Sequence, residues 1–293
     1  MSERFHQILR QCAAVVVLLL AAAPSASARS FLWKVTGRSG TVYLVGSVHL
    51  LTKDFYPLAP AMEAAYKDST LLAEEVDIGE MSAGAQFSLL TRGMLPSNQS
   101  LDKVLSASTL ALLNARTSKL GLPIEALKQL KPWMIALTLE ASEWQKAGFD
   151  PELGIDKHFY DQAKQDGKTV EGLETVDYQI SRFDDMPMAL QDHLLAETLK
   201  DIDTEQSNMP ALVASWKNGD SAAVERIVLK DLQQEPELYQ RLLVERNRNW
   251  MPKIEAMLGR SGRSMVVVGA AHLVGPDGLL TMLRAKGYSI EQQ

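Results

Sequence analysis

The chain has 293 residues, of which 46% are hydrophobic, and a formal net charge of −6 at neutral pH. This length can hold one large domain or two small ones, and the apolar fraction suffices for an ordinary buried core. The negative balance and the lack of any basic stretch beyond residue 28 argue against nucleic acid or an anionic membrane as the main partner.

The first 28 residues predict a cleavable secretory signal. Two arginines lie in Met1–Arg10, an unbroken apolar run follows at Ala13–Ala23, and Ala26-Ser27-Ala28 has the A-x-A pattern of a cleavage site. The run is shorter than the ~20 apolar residues that span a bilayer, so an uncleaved anchor is the less favoured alternative. We therefore expect a periplasmic or secreted chain of residues 29–293 with no stable membrane anchor. It would lack cysteine, because the only one is Cys12.

Strand patterns lie near both ends of the chain, and helical patterns fill the middle. Runs rich in apolar and β-branched residues predict strands at Thr41–Val48, Thr70–Val76, Thr169–Leu173, Ser264–Val268 and Tyr288–Glu291. A helix at Ala59–Tyr66 between the first two strands predicts a right-handed strand–helix–strand unit. Helical periodicity extends over about 78–166 and 176–258, and a last helix is predicted at Gly275–Lys286.

These elements predict one α/β domain over residues 29–293. Its central sheet is expected to be mostly parallel and to be completed by the N- and C-terminal segments. A helical insertion at about 78–260 would pack on the sheet as a cap. Within the insertion, Ser106 is predicted to cap a helix, Gly121 to end it, and Pro132 to occupy the first position of the next helix.

The sharpest feature is a repeated Gly-x-x-His motif, at Gly46–His49 and Gly269–His272, each following an apolar run. Ligands of parallel α/β sheets bind at the carboxyl ends of the strands, and glycine lets the backbone turn sharply there. If the two strands are neighbours, both imidazoles face one small volume. The alternative is two unrelated histidines that end buried strands.

Acidic residues follow the second predicted strand. Alternation along a strand sends Glu74 and Glu75 to opposite faces, so one of them can reach the histidines. There it could be a metal ligand, a general base or a group that orients an imidazole. The alternative is an acidic cluster at a helix N-terminus.

Arg246 lies on the apolar stripe of a predicted helix, between Leu243 and Trp250. An inward-facing arginine needs a carboxylate or an anionic ligand, and Glu75 or Glu174 could supply it. The alternative is a purely structural buried ion pair. Asn247 lies beside Arg246 and could donate a hydrogen bond.

Other motifs of known chemistry are absent from the sequence. His158 and His193 lie in helical patterns, and His193 has Glu197 four residues on, a common surface pairing. The segment His193–Glu197 reads H-L-L-A-E, so the H-E-x-x-H motif of zincins is missing. No G-x-S-x-G elbow or Walker A loop is present either.

The order of several short motifs resembles the TraB/GumN family over about residues 31–291. They are Gly46–Leu51, Glu75–Asp77, Lys131–Trp133, Gly154–Asp156, Gly172–Thr175, Arg246–Asn247 and Val268–Gly275. The family includes the Tiki metalloproteases and is similar to the erythromycin esterase and ChaN group. The resemblance implies an active centre of His49, His272, Glu75 and Arg246, and Tiki-type members use a divalent metal such as manganese or cobalt.

The leading hypothesis is an exported, metal-dependent hydrolase that acts on a peptide or protein substrate. His49, His272 and Glu75 would bind Mn²⁺, Co²⁺ or Zn²⁺, which would lower the pKa of a bound water. Arg246 would orient a carboxylate or stabilise developing negative charge, and Glu174 is a further candidate. Two alternatives stay open. One is metal-free hydrolysis with one histidine as general base, and the other is peptide binding without turnover in a groove of the helical middle.

Overall fold

The computed structural model describes residues 29–293, without the side chains of residues 204–206. The predicted signal sequence lies outside the described residues. Within them, one six-stranded sheet has the order β4-β3-β5-β2-β1-β6. The strands are β1 Leu32–Thr36, β2 Gly40–Ser47, β3 Leu71–Glu74, β4 Thr169–Gly172, β5 Gly262–Gly269 and β6 Ser289–Gln292.

Thirteen α-helices are described in the same part of the chain. They are α1 Pro60–Asp68, α2 Ala83–Arg92, α3 Leu101–Val104, α4 Ala107–Leu120, α5 Pro132–Lys146, α6 Ile155–Gln165, α7 Val176–Asp184, α8 Met188–Lys217, α9 Ser221–Val228, α10 Pro236–Tyr239, α11 Glu245–Gly259, α12 Ala270–Leu273 and α13 Leu279–Ala285. Of the helices described for residues 29–293, none has the length and apolarity needed to cross a membrane.

Three of the five strand pairings are parallel, and this confirms the predicted α/β fold with a mostly parallel sheet. Strands β4, β3, β5 and β2 run parallel to one another, and β1 and β6 are antiparallel additions at the far edge. The predicted strand–helix–strand unit is β2–α1–β3. However, β5 lies between its two strands, so β2 and β3 are not hydrogen-bonded neighbours.

The strand predicted at Thr169–Leu173 is β4, which pairs with β3 and lies between the two helical stretches of the chain. One strand needs correction. Strand β1 was not predicted from the sequence, although it forms a hairpin with β2. Phe31-Leu32-Trp33 is an uninterrupted apolar run that is buried on both faces, so it lacks the alternation that identifies a half-exposed strand.

The local helix signals in the cap are as the sequence predicted. The Ser106 hydroxyl accepts a hydrogen bond from the Thr109 amide at the start of α4, and Gly121 ends that helix in the left-handed conformation, with φ 66°. Pro132 occupies the first turn of α5, where its missing N–H costs nothing.

Helix α8 connects the two main hydrophobic cores. One core lies between the sheet and its flanking helices, and the other lies within the cap. Leu195 and Leu199 of α8 belong to the cap core, whereas Trp216 near its end belongs to the sheet core. The Trp216 indole N–H donates a buried 2.7 Å hydrogen bond to the carbonyl of Gly46 in β2. The cap is thus fastened to the strand that carries the first Gly-x-x-His motif.

Replacing Trp216 with Phe tests this attachment. The variant keeps most of the apolar contact but leaves the buried Gly46 carbonyl without its donor, so we expect a loss of roughly 1–3 kcal/mol in the free energy of unfolding. Urea denaturation measures the loss. Trp144→Phe in α5, at a half-buried tryptophan, is the matched control and should change stability less. Equal losses in both variants would contradict a special role for the Trp216 bond.

Candidate functional site

The two Gly-x-x-His motifs meet at one end of the sheet, because β2 and β5 are parallel neighbours. Ser47 pairs with Gly269 in the register of the two strands. A Cβ placed on Gly269 would lie 3.8 Å from His49 Nε2, 3.6 Å from His272 Cδ2 and 3.2 Å from Glu75 Oε1. Both imidazole rings and one carboxylate oxygen therefore border the space that the missing side chain of Gly269 leaves.

The two glycines of the repeated motif have different surroundings. A Cβ on Gly46 would meet the Phe31 ring at 2.3 and 2.6 Å, so this glycine makes room for core packing. The space at Gly269 is bordered by polar groups instead, and its backbone angles, φ −49° and ψ 137°, are open to any residue. Only the second glycine borders the candidate site.

His49 is held by Asp156, a residue of the Gly154–Asp156 motif to which the sequence analysis assigned no role in the site. Asp156 Oδ2 accepts a 2.8 Å hydrogen bond from His49 Nδ1, and Asp156 Oδ1 accepts a 2.9 Å bond from the Ser47 hydroxyl. With its proton on Nδ1, neutral His49 presents the lone pair of Nε2 toward Gly269. The His49 side chain is 59% exposed, so the ring lies at the surface of the site.

The position of Asp156 follows from how α6 begins. Gly154 precedes this helix, and a Cβ there would lie 2.3 Å from the carbonyl oxygen of His49. Glycine therefore lets the helix start directly against the His49 backbone, and the Ile155 amide donates to the carbonyl of Val48. Asp156 lies in the first helical turn, where the helix dipole stabilises a carboxylate.

The charge of Asp156 raises the pKa of His49 to about 9, against a smaller opposing effect of desolvation. An imidazole with this pKa is mostly protonated at neutral pH and becomes a base as the pH approaches 9.

Arg246 is buried on the inner face of α11, as its place on the apolar stripe predicted. Both predicted carboxylate partners bind it. Its Nη2 contacts Glu75 Oε2 at 2.5 Å and Glu174 Oε1 at 2.7 Å, and its Nε also donates to Glu174. Glu174 receives a further 2.9 Å bond from the indole of Trp250. Glu174 therefore lies behind Arg246 and holds it in place.

Glu75 borders the space between the histidines, as the sequence analysis allowed for one of the two acids. Glu75 Oε1 accepts a 2.8 Å bond from the Gly269 amide, and Oε2 accepts a 3.0 Å bond from Gln179 in addition to the bond from Arg246. Burial alone would raise the pKa of Glu75, but Arg246 and the Gly269 amide hold it below its usual value. Glu75 is thus an ionised carboxylate in a fixed orientation.

Glu74 has the opposite character. It is 1% exposed, and neither of its carboxyl oxygens has a hydrogen-bond partner among the described residues. Burial raises the pKa of Glu74 to about 9, so the carboxyl is neutral at pH 7.

His272 is buried and fully hydrogen bonded. Its Nδ1 donates to Asn247 Oδ1 at 2.7 Å, because the amide nitrogen of Asn247 already donates to two backbone carbonyls. Its Nε2 therefore carries the lone pair and accepts a 3.0 Å bond from Arg246 Nη1. Burial lowers the pKa of His272 to about 3, so the ring is neutral.

The predicted metal ligands are His49, His272 and Glu75. The three side chains converge, but the described residues hold no group of three His, Cys, Asp or Glu side chains that could bind a metal ion. The reason is visible at His272, whose only lone pair points at the Arg246 guanidinium. A divalent cation there would replace Arg246 as the partner of His272 and lie beside its positive charge. As arranged, the donor set does not fit a bound divalent ion.

The other two histidines on helices lie outside this cluster. His158 Nε2 binds Glu63 at 2.9 Å, and His193 Nε2 binds Glu235 at 2.6 Å. The surface pairing predicted between His193 and Glu197 is present at 3.9 Å.

The family of the chain follows from comparison with known proteins. The model of the TraB/PrgY/gumN family matches residues 31–292, and the chain belongs to this family. The chain is 30% identical over 245 residues to uncharacterized protein YbaP of Escherichia coli (strain K12), which covers 83% of this chain and 87% of that protein. The YbaP of Shigella flexneri matches to the same extent. No solved structure matches the chain.

Replacing Asp156 with Asn should lower the pKa of His49. The negative charge of Asp156 favours the imidazolium, so its removal moves the pKa from about 9 toward the ordinary value of about 6.5. NMR titration of the imidazole carbons measures the change. Asp161→Asn, one turn and more along the same helix, is the control and should leave the His49 pKa unchanged. A titration in Asp156→Asn that still centres near 9 would contradict the pairing.

The two motif glycines should respond differently to alanine. Gly46→Ala forces the new methyl into the Phe31 ring, and we expect a loss of about 1–3 kcal/mol in the free energy of unfolding. Gly269→Ala fits the backbone angles, and its methyl group would make only a tight contact at 3.2 Å with Glu75 Oε1, so we expect a smaller loss of stability than for Gly46→Ala. Chemical denaturation of both variants checks this, and equal losses would show that the space at Gly269 is not open.

Proposed function

We propose that this protein is a hydrolase of peptide bonds in which His49, oriented by Asp156, transfers protons to and from a water above Gly269. One observation carries the proposal: Nε2 of the partly exposed His49 ring lies 3.8 Å from the Cβ position of Gly269, in the space that His272 and Glu75 also border. A histidine fixed by a carboxylate and aimed at an open space is the arrangement that general acid–base catalysis requires.

The reaction needs only groups present in this cluster. Neutral His49 Nε2 takes a proton from the water, and the resulting hydroxide oxygen forms a bond to the carbonyl carbon of the substrate. The tetrahedral intermediate then breaks its carbon–nitrogen bond, and the imidazolium returns the proton to the leaving nitrogen. Asp156 keeps the second proton of the ring on Nδ1 throughout and stabilises the imidazolium.

Glu75 and Arg246 act as a fixed frame for the water. Glu75 Oε1 borders the open space and can accept a hydrogen bond from the water while it accepts the bond from the Gly269 amide. Arg246 contacts Glu75, Glu174 and His272, and these contacts orient the two carboxylates. Of the two roles that the sequence suggested for Arg246, these contacts support orientation rather than stabilisation of developing charge.

The choice of peptide bonds comes from the resemblance to the Tiki metalloproteases, and the same resemblance implies a metal-dependent form of the reaction. That form would require Arg246 to leave His272 Nε2, so that His49, His272 and Glu75 could bind Mn²⁺, Co²⁺ or Zn²⁺. The ion would then activate the water by lowering its pKa. The contacts described for residues 29–293 support the metal-free form better.

Peptide cleavage tests the proposal directly. Purified protein is incubated with a synthetic peptide library, and products are identified by mass spectrometry. We expect the rate to rise about tenfold per pH unit below the His49 pKa of about 9 and to level off above it, because only the neutral imidazole is a base. His49→Ala should lower the cleavage rate roughly 10²- to 10⁴-fold, and Gly269→Ala should fold but lose cleavage activity.

Controls separate the alternatives. His193→Ala should retain the full rate, because His193 lies on the surface of the cap. Activity that survives exhaustive chelation supports the metal-free form, whereas activity restored only by Mn²⁺, Co²⁺ or Zn²⁺ supports the metal-dependent one. Tight peptide binding with no product in any arm would refute hydrolysis and leave sequestration.

We further propose that the chain is exported, on the layout of residues 1–28. In a bacterial host, the purified protein should begin at Arg29 by intact mass, because Ala26 and Ala28 provide the small residues that signal peptidase requires. Ala28→Leu is the matched variant and should retain the leader. An intact mass that includes Met1 in the parent protein would contradict export by cleavage.

A further inference from the structure

Strand β4 forms one edge of the sheet, and Lys253 occupies the outward carbonyl of Gly172 at this edge. It is the outermost strand next to β3, and it is only partly covered. The Leu173 amide points inward and donates to the carbonyl of Glu74 at 2.7 Å. Because successive residues of a strand alternate in direction, the backbone groups of Gly172 and Val170 point outward. The 2.9 Å bond from Lys253 to the Gly172 carbonyl agrees with this direction.

A groove with a volume of about 390 Å³ follows this edge between β4 and α11. Lys253 of α11 and Arg260 directly after this helix line the groove on one side, whereas Glu80 and Glu171 line it on the other side. Among the described residues, neither cation forms an ion pair with these acids. The outward N–H of Val170 lies on the same edge and is available to an added strand.

Two chain segments connect the residues of the groove to the candidate site. Gly172 is followed by Leu173 and by Glu174, which binds Arg246. Asp77, which also lines the groove, comes two residues after Glu75. Because β4, β3 and β5 are parallel, a chain that lies along β4 reaches the end of the sheet at which Gly269 lies.

We propose that β4 binds an extended segment of the substrate as an added strand, with the segment seated in this groove. The inference deepens the proposed function, since it takes peptide as the substrate class. Backbone hydrogen bonds to a sheet edge bind peptides with little regard to sequence. Lys253 and Arg260 opposite Glu80 and Glu171 favour segments that carry both acidic and basic side chains.

Val170→Pro removes the outward N–H without breaking the ladder, because an edge strand tolerates proline where the missing N–H faces solvent. Val170→Ala keeps the N–H and is the matched control. Both changes are made in the His49→Ala protein, so that cleavage does not consume the probe. Each immobilised variant is incubated with a random eight-residue peptide library, and the retained peptides are quantified by mass spectrometry.

We expect Val170→Pro to retain at least tenfold less peptide than Val170→Ala, with similar unfolding midpoints for the two. Arg260→Glu, at an exposed position, is the second variant and should shift the retained pool from acidic toward basic peptides. Equal retention by the two Val170 variants, or no retention by the His49→Ala parent, overturns the proposal. If Val170→Pro does not fold, an unchanged pool with Arg260→Glu overturns it. Cleavage by the wild-type protein with unaffected retention would leave the proposed function standing and this inference refuted.

Discussion

The arrangement of the site depends on the burial of one positive charge. Arg246 contacts Glu75, Glu174 and the lone pair of His272. Without Arg246, the two buried carboxylates would lose the cation that they share. Removing one partner from such a pair typically costs ~3–5 kcal/mol, because the other charge is left uncompensated. The same contacts fix the tautomer of His272 and the orientation of Glu75. Structural and chemical roles of Arg246 are therefore inseparable.

The two histidines of the repeated motif are made unlike by their surroundings. His49 is exposed and lies beside an aspartate, so its protonated form is favoured. His272 is buried beside an arginine, so its neutral form is favoured. Opposite pKa shifts in neighbouring groups are how proteins assign different tasks to identical side chains. Two copies of one sequence motif thus carry histidines with different properties. His49 can gain and lose a proton, whereas His272 stays neutral and is held in place by Asn247 and Arg246.

Much of this site follows from local patterns. Gly-x-x-His at two strand ends predicted that the imidazoles meet, the acids after the second predicted strand supplied the carboxylate beside them, and the apolar stripe of α11 predicted that Arg246 faces inward. What the patterns could not predict depends on long-range contacts. Asp156 reaches His49 only because α6 begins against the carbonyl of Val48, and no local sequence pattern predicts that contact. The approach of Arg246 to His272 Nε2 likewise depends on side-chain conformations. This contact occupies the lone pair with which His272 would bind a metal ion. Strand β1 was missed because full burial removed its alternation.

Helix α8 has a consequence for how the molecule loses its structure. One helix carries side chains of both cores and ends in a bond to the strand that presents His49. Local opening of the cap would therefore pull on the sheet, and the two halves should melt as a single cooperative unit rather than as independent foldons. Destabilising substitutions deep in the cap would then lower the fraction of folded molecules. They would reduce the observed activity in this way, although they contact no reacting group.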